Sequence, residues 1–93
     1  MAISWTNRAF SEYENVVFYL LDKWTLKEAQ KFTSTADSIL DKIIITPNMY
    51  KSSATHPYMR KAKISKYNSL LYEVDSDRIS ILRVIDTRSD TLH

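Results

Sequence analysis

The segment between Asp41 and Glu73 contains no acidic residue but is rich in basic residues and tyrosine. Its basic residues are Lys42, Lys51, Arg60, Lys61, Lys63 and Lys66, and its tyrosines are Tyr50, Tyr58, Tyr67 and Tyr72. A local excess of positive charge attracts polyanions, and aromatic rings can stack on nucleic-acid bases. The same lysines could equally solvate a loop and keep a sheet edge from aggregating. The segment is therefore predicted to be either a binding surface for a polyanion or an ordinary solvated edge.

Arg83 is the unusual residue of the last apolar segment of the chain. In strict alternation it shares one face with three isoleucines, Ile79, Ile81 and Ile85. An arginine in such an apolar row needs either an anionic partner or access to solvent at the edge of the sheet. One interpretation is an ion pair with Glu73 on the neighbouring strand, and the other is a guanidinium that binds phosphate on an exposed sheet face. Arg88, just past this segment, is predicted to be accessible.

No arrangement of side chains in the sequence points clearly to an enzyme. A general base for phosphodiester cleavage would have to come from His56, His93 or a deprotonated lysine. His56 precedes a proline in a predicted loop and His93 is the last residue, so neither placement indicates a preorganised site. Asp86 and Asp90 could form a pair of carboxylates, but aspartates in a polar tail are more commonly solvated.

The residue types that are missing exclude several classes of protein. The chain has no glycine, which excludes phosphate-binding loops, dinucleotide-binding turns and the nucleophile elbow. It has no cysteine and only two histidines, which leaves no thiolate or multi-histidine metal site. We therefore expect neither a metal nor a cofactor.

The length of 93 residues and the hydrophobic fraction of 44% predict a single domain over residues 1–93. The longest apolar run, Val16 to Leu21, is too short to span a membrane. Charged residues, Arg8 among them, stand where a secretory signal would be apolar. We expect a small cytoplasmic protein without a membrane partner.

A short strand and a long helix are predicted at the start of the chain. Ala2–Trp5 alternates like a terminal strand, and Thr6 offers a hydroxyl to cap the helix that follows. In this helix, Asn7–Trp24, the apolar residues recur at steps of three and four and predict a broad buried stripe. They are Ala9, Phe10, Tyr13, Val16, Val17, Leu20, Leu21 and Trp24. Trp5 and Trp24 are both predicted to be core residues.

A second helix is predicted to follow with almost no loop. Thr25 and Glu28 form a capping box, and Pro47 ends the helix. Its apolar stripe is Ala29, Phe32, Ala36, Ile39, Leu40 and Ile43. Two amphipathic helices joined by so short a turn predict an antiparallel hairpin. Residues 48–58 have no apolar period and are predicted to be a loop.

The rest of the chain is predicted to be three strands, Met59–Ser65, Ser69–Asp75 and Arg78–Asp86. The first strand places Lys61 and Lys63 on one face, and the last is apolar on both faces, as in a central strand. The order is β-α-α-β-β-β, which predicts an α+β domain with the helical hairpin packed on one face of a mainly antiparallel sheet.

Several short segments occur in this order with a characteristic spacing. They are Trp5–Ala9, Tyr19-Leu20, Trp24, Ala29, Phe32, Leu40, Ile43, Pro47, Lys61–Ile64, Leu71–Val74 and Ile81–Ile85. Over nearly the whole chain this pattern resembles the RelE/ParE superfamily of toxins from bacterial type II toxin–antitoxin modules, and the ParE branch more closely. The resemblance implies the same α+β fold.

One branch of the superfamily, the RelE-like toxins, cleaves messenger RNA on the ribosome. On this chain the resemblance would assign that activity to four basic residues, Lys61, Lys63, Arg83 and Arg88. Asn68 and Ser69 stand where such enzymes have an arginine on the middle strand, and His93 is the one candidate for their C-terminal base. If this branch applied, the chain would be a ribonuclease with the ribosome and messenger RNA as partners.

The other branch, the ParE-like toxins, poisons DNA gyrase by binding it and matches the spacing from Trp24 to Ala29. This resemblance implies a growth-arresting toxin with gyrase as its target. It also implies a cognate antitoxin, which covers the apolar surface beside the hairpin and links the toxin to operator DNA. The predicted target-binding residues are Arg60, Lys61, Lys63, Arg83 and Arg88. Asp86 stands where ParE-like toxins often have histidine.

A further alternative to both active branches is that the chain is an inactive relative, which only binds its antitoxin and co-represses the operon.

Overall fold

The computed structural model describes residues 2–54 and 56–86. The elements in chain order are β1 (Ala2–Trp5), α1 (Asn7–Lys23), α2 (Leu26–Ile45), β2 (Met59–Lys63), β3 (Asn68–Asp75) and β4 (Arg78–Asp86). This order confirms the predicted β-α-α-β-β-β arrangement. Within the described ranges no helix combines the length and apolar character that crossing a membrane requires.

The four strands form one sheet in the order β1-β4-β3-β2. β1 runs parallel to β4, whereas the two other pairs are antiparallel, so the sheet is mainly antiparallel as predicted. β4 has a strand on either side, which explains its apolar character. The pairing of β1 with β4 ends at Trp5 and Ile81, so the second half of β4 continues beyond the end of β1.

Two threonines determine where the helices begin. The Oγ1 atom of Thr6 accepts the N–H of Ala9 at 3.0 Å and donates to the carbonyl oxygen of Leu82 at 3.1 Å, which ties the start of α1 to β4. The Oγ1 atom of Thr25 accepts the N–H of Glu28 at 3.1 Å, the first bond of the predicted capping box. Each helix therefore starts directly after the residue predicted to cap it.

The core lies between the hairpin and one face of the sheet, which we call the inner face. The buried side chains of α2 are Ala29, Phe32, Ala36, Ile39 and Ile43, and those of the strands in this core are Ala62, Leu70, Tyr72, Ile79, Ile81 and Val84. The hydroxyl of Tyr72 donates to the carbonyl oxygen of Pro47 at 2.8 Å, which satisfies the polar end of a buried ring. The predicted stripe of α2 is confirmed, with Leu40 half-buried at its border.

The broad buried stripe predicted for α1 is confirmed only in part, by four half-buried residues that pack against the core, Tyr13, Val16, Val17 and Leu20. Ala9 is its one fully buried residue, while Phe10, Leu21 and Trp24 are 51%, 46% and 63% exposed. A helix that packs against one layer buries an arc of roughly 100°. The eight predicted residues cover a wider arc than that, so those at its margins remain exposed.

A β-bulge in β4 divides the row of residues in which Arg83 was predicted to lie. Ile81 pairs with Tyr72 but Arg83 pairs with Leu71, which leaves Leu82 as the extra residue. Ile79 and Ile81 therefore face the core, whereas Arg83 lies on the opposite face of the sheet, which we call the outer face. The prediction that Arg83 shares a face with Ile79 and Ile81 is wrong because a bulge reverses the alternation of side chains beyond it, whereas Ile85, also beyond the bulge, does share the face of Arg83.

Part of the predicted loop 48–58 pairs with the edge of β2. Ser52 forms a bridge with Arg60, and the N–H of Ser53 donates to the carbonyl oxygen of Met59 at 2.7 Å. The N–H of Lys61 donates to the carbonyl oxygen of Lys51 at 3.4 Å. Residues 51–53, which we call the arm, thus cover the free edge of β2, the strand at one end of the sheet. Apolar periodicity could not reveal this pairing because the arm is short and polar.

Candidate functional site

Lys61 and Lys63 lie side by side on the outer face of β2. They pair across the sheet with Leu71 and Ser69, and both are exposed. Side chains two residues apart on a strand are about 7 Å apart. Ala62, between them, is fully buried on the inner face. The predicted division of this strand into a basic face and a core face is therefore confirmed.

Arg60 does not join these lysines, because it lies on the inner side of the strand, opposite Tyr72. Its Nη1 atom donates to the carbonyl oxygen of Tyr50 at 2.7 Å and to that of Asn48 at 3.4 Å. The guanidinium is thus directed at the backbone that follows α2.

We expect Arg60→Gln to lower the free energy of unfolding by about 1.5–3 kcal/mol, because a charged donor to two backbone carbonyls is lost. Urea denaturation measures this change. Lys63→Gln is the control, since an exposed lysine on the same strand should change stability by about 0.5 kcal/mol or less. An Arg60→Gln protein that kept full stability but lost its biological effect would contradict this structural role.

Arg83 is held by Glu12 of α1. Its Nε atom donates to both carboxylate oxygens at 3.1 Å, and its Nη2 atom donates to Oε2 at 2.7 Å. The predicted ion pair with Glu73 is therefore wrong. Because β1 ends at Trp5, this part of β4 has α1 beside it, and a helix carboxylate becomes the partner.

Glu12 also accepts a backbone hydrogen bond at the edge of β4 that β1 leaves unpaired. Its Oε1 atom accepts the N–H of Val84 at 3.1 Å, and the Nε atom of Arg8 lies 3.9 Å from Oε2. Burial by itself would raise the pKa of Glu12. The hydrogen bonds from Arg83 and Val84 and the charges of Arg83 and Arg8 outweigh it, so the pKa is lowered from its ordinary value of 4.5. The charged carboxylate thus takes the place of a neighbouring strand.

The other candidate residues are not gathered into an active site. Arg88, Asp90 and His93 lie outside the described residues. Asp86 ends β4 opposite Asn68, and His56 lies in the turn before β2. In the part of the chain that the structure describes, no group of three or more histidine, aspartate or glutamate residues could hold a metal ion.

A groove that the sequence did not predict lies between the tip of the helical hairpin and the turn at residues 64–67. We call it the hairpin groove; its volume is about 470 Å³. Its apolar walls are Tyr19, Leu20, Trp24, Phe32, Ile64 and Tyr67, and charged residues at it are Glu28, Lys31 and Lys66. An apolar pocket with a few charged groups is typical of sites that bind a ligand or a peptide.

Trp24 is the main difference between prediction and structure at this groove. It was predicted to be a core residue, but it is 63% exposed. Its position directly before the Thr25 cap is the signal that could have found it, because a residue between two helices at a hairpin tip has few packing neighbours. Tyr67, on the opposite wall, is 40% exposed, and the Nζ atom of Lys66 lies 5.4 Å from its ring centre.

Comparison with known proteins places the chain among toxins. A sequence model described as "ParE toxin of type II toxin-antitoxin system, parDE" matches residues 3–91. No curated protein sequence matches the chain. Among solved structures the chain is similar to the chromosomal ParDE toxin–antitoxin system of P. aeruginosa, with a TM-score of 0.75 and 17% identity over 92% of this chain and 95% of that one.

Two further solved structures share the fold. The YoeB/ParE toxin of Agrobacterium tumefaciens has a TM-score of 0.68 at 13% identity, covering 92% of this chain and 98% of that one. YoeB in the heterotetrameric YoeB–YefM toxin–antitoxin complex of Staphylococcus aureus has a TM-score of 0.66 at 16% identity, covering 91% and 94%. At these identities the likeness establishes the fold and leaves the residues of the site to be argued individually.

Proposed function

The chain belongs to the ParE toxin family of type II toxin–antitoxin systems, and from that premise we propose that it arrests growth by poisoning DNA gyrase in the cytoplasm. A cognate antitoxin neutralises it. On this proposal the protein acts by binding its target and carries out no reaction of its own.

The ion pair between Arg83 and Glu12 is the observation that favours binding over RNA cleavage. Cleavage of a phosphodiester builds negative charge on the phosphorus centre, and cations already in place must stabilise it. Arg83 donates from both Nε and Nη2 to the Glu12 carboxylate, so its positive charge is already paired inside the chain. Asn68 and Ser69 supply no cation on β3.

Ribosome-dependent RNA cleavage is retained as the second candidate because Lys61 and Lys63 are exposed side by side on the outer face. These two lysines could contact a phosphate without Arg83.

The hairpin groove is the site we propose for the antitoxin. Two of the similar structures are of a ParDE system and a YoeB–YefM complex. In this chain Trp24 and Tyr67 form apolar walls that could receive an aromatic or aliphatic anchor residue. Lys31 and Lys66 at the same groove favour an antitoxin segment with carboxylates next to that anchor.

Purified DNA gyrase and supercoiled plasmid test the target directly. We expect the chain to increase the amount of linear DNA released when gyrase is denatured, and added antitoxin to abolish the increase. The control is the same reaction without gyrase, in which the plasmid should stay intact.

Induction of the chain in cells separates the candidates. Double-strand breaks and an SOS response support gyrase as the target. Codon-linked cuts in transcripts without those signs would instead identify the RNA-cleaving candidate. Normal growth together with operator binding by the toxin–antitoxin pair would identify an inactive co-repressor.

A further inference from the structure

A second, polar hollow lies on the outer side of the sheet edge. Its volume is about 620 Å³, and seven of its eight lining residues are lysine or serine. The lysines are Lys51, Lys61, Lys63 and Lys66, and we call the site the lysine hollow. Of these four, Lys61 and Lys63 were named from the sequence as target-binding residues, whereas Lys51 and Lys66 were noted only as part of the basic segment.

Three separate segments bring these lysines together. Lys51 belongs to the arm, Lys61 and Lys63 to β2, and Lys66 to the turn between β2 and β3. The backbone bond from Lys61 to Lys51 holds the arm beside β2, so that the lysines are on both sides of the hollow. All four side chains are exposed. The convergence therefore depends on the pairing of the arm with the sheet.

The lining has the chemistry of an anion site. Ammonium groups that line one hollow repel one another, and among the described residues of the lining there is no carboxylate beside Lys51, Lys63 and Lys66. The hydroxyls of Ser52 and Ser53 add hydrogen-bond donors. An extended polyanion that places several charges in the hollow would relieve this repulsion.

We propose that the lysine hollow binds the sugar–phosphate backbone of a nucleic acid. Lysine and serine are residues that contact phosphate oxygens, and such contacts position a protein on a nucleic acid without reading its sequence. The spacing of Lys61 and Lys63 on one strand face is comparable to that of successive phosphates along a chain.

The lining favours a nucleic acid over an acidic polypeptide. Protein partners bind mainly through buried apolar anchor residues, and the one apolar residue that lines this hollow is the small Ala54. The aromatic walls that would suit a polypeptide belong to the hairpin groove instead.

The inference deepens the proposed function and rests on it for the identity of the nucleic acid, which would be the DNA segment held by gyrase. The binding itself does not require gyrase. If the protein binds DNA through the hollow but does not poison gyrase, the proposed target is refuted and the hollow is not. If it poisons gyrase but does not bind DNA through the hollow, the hollow is refuted and the proposed target is not.

Fluorescence anisotropy with the purified chain and fluorescein-labelled oligonucleotides, single-stranded and duplex, tests the proposal. We expect binding that weakens with salt. Lys51→Gln, Lys63→Gln and Lys66→Gln should each lower affinity by about fivefold and reduce the slope against log salt by about 1. The triple variant should lose about 100-fold.

Matched controls are Lys27→Gln and Lys42→Gln, which remove the same charge from exposed positions on α2. They should bind within about twofold of the wild type, and circular dichroism checks that every variant is folded. Controls that weaken binding as much as the hollow variants would overturn the proposal. Polyglutamate that binds as tightly as DNA and depends on the same lysines would overturn it in favour of an acidic protein partner.

Discussion

Replacement of Glu12 by glutamine is expected to lower the free energy of unfolding by about 2–3 kcal/mol at neutral pH. The neutral amide cannot form an ion pair with Arg83, and its single oxygen cannot replace both carboxylate oxygens, which accept from Val84 and from Arg83. Both bonds are largely shielded, with the Glu12 side chain 23% and the Arg83 side chain 35% exposed. Urea denaturation of wild type and variant gives the difference.

The same substitution has a predictable pH dependence. Because the pKa of Glu12 is lowered in the folded protein, the carboxylate contributes stability above its ordinary value of 4.5 and loses this contribution as the pH falls through the lowered pKa. The stability difference between wild type and Glu12→Gln should therefore shrink at acidic pH.

Glu14→Gln is the control for both measurements. It removes the same charge from the same helix two residues along, on the opposite side of α1, and should have little effect. A difference between wild type and Glu12→Gln that stayed constant down to strongly acidic pH would show that the carboxylate charge is not what stabilises this edge.

Replacement of Trp24 by alanine is expected to weaken binding of the antitoxin by about 30-fold or more, which corresponds to about 2 kcal/mol. The indole is the largest side chain of the hairpin groove, and its removal leaves the partner's anchor residue without one wall. Stability should change little, because Trp24 is already 63% exposed. Isothermal titration calorimetry measures the affinity.

Phe18→Ala provides the comparison for Trp24→Ala. Phe18 is an aromatic residue of α1 with a similar exposure of 60%, but it does not line the groove. Its removal should leave antitoxin affinity within about twofold of the wild type, since residues outside a binding hot spot contribute little. Equal losses for the two variants would place the antitoxin over the outer surface of α1 instead.

Local patterns predicted the elements well. The caps at Thr6 and Thr25 depend on groups within three residues, and the bounds of β4 follow from a run of apolar and β-branched residues. The separation of Lys61 and Lys63 from Ala62 requires only the two-residue period of a strand. Such features are visible in a single sequence because their physical causes lie within one element.

Features that depend on two distant elements were missed or misassigned. The partner of Arg83 is Glu12, 71 residues away, and it becomes available because β1 is short enough to leave the edge of β4 open. The bulge at Leu82 reverses the alternation of β4 without any glycine or proline to mark it. The exposure of Trp24 follows from the end of a hairpin, where a helix has no further neighbours.

The amino-acid sequence by itself therefore determined the order of helices and strands, the apolar face of α2 and the basic face of β2, because capping, periodicity and charge act over a few residues. Tertiary structure alone decided which cations are paired within the chain and which converge. Arg60 and Arg83 bind the protein's own backbone and a helix carboxylate, whereas Lys51, Lys63 and Lys66 come together at one hollow. The physical reason is that these outcomes depend on distances between separate elements, which exist only after the chain has folded.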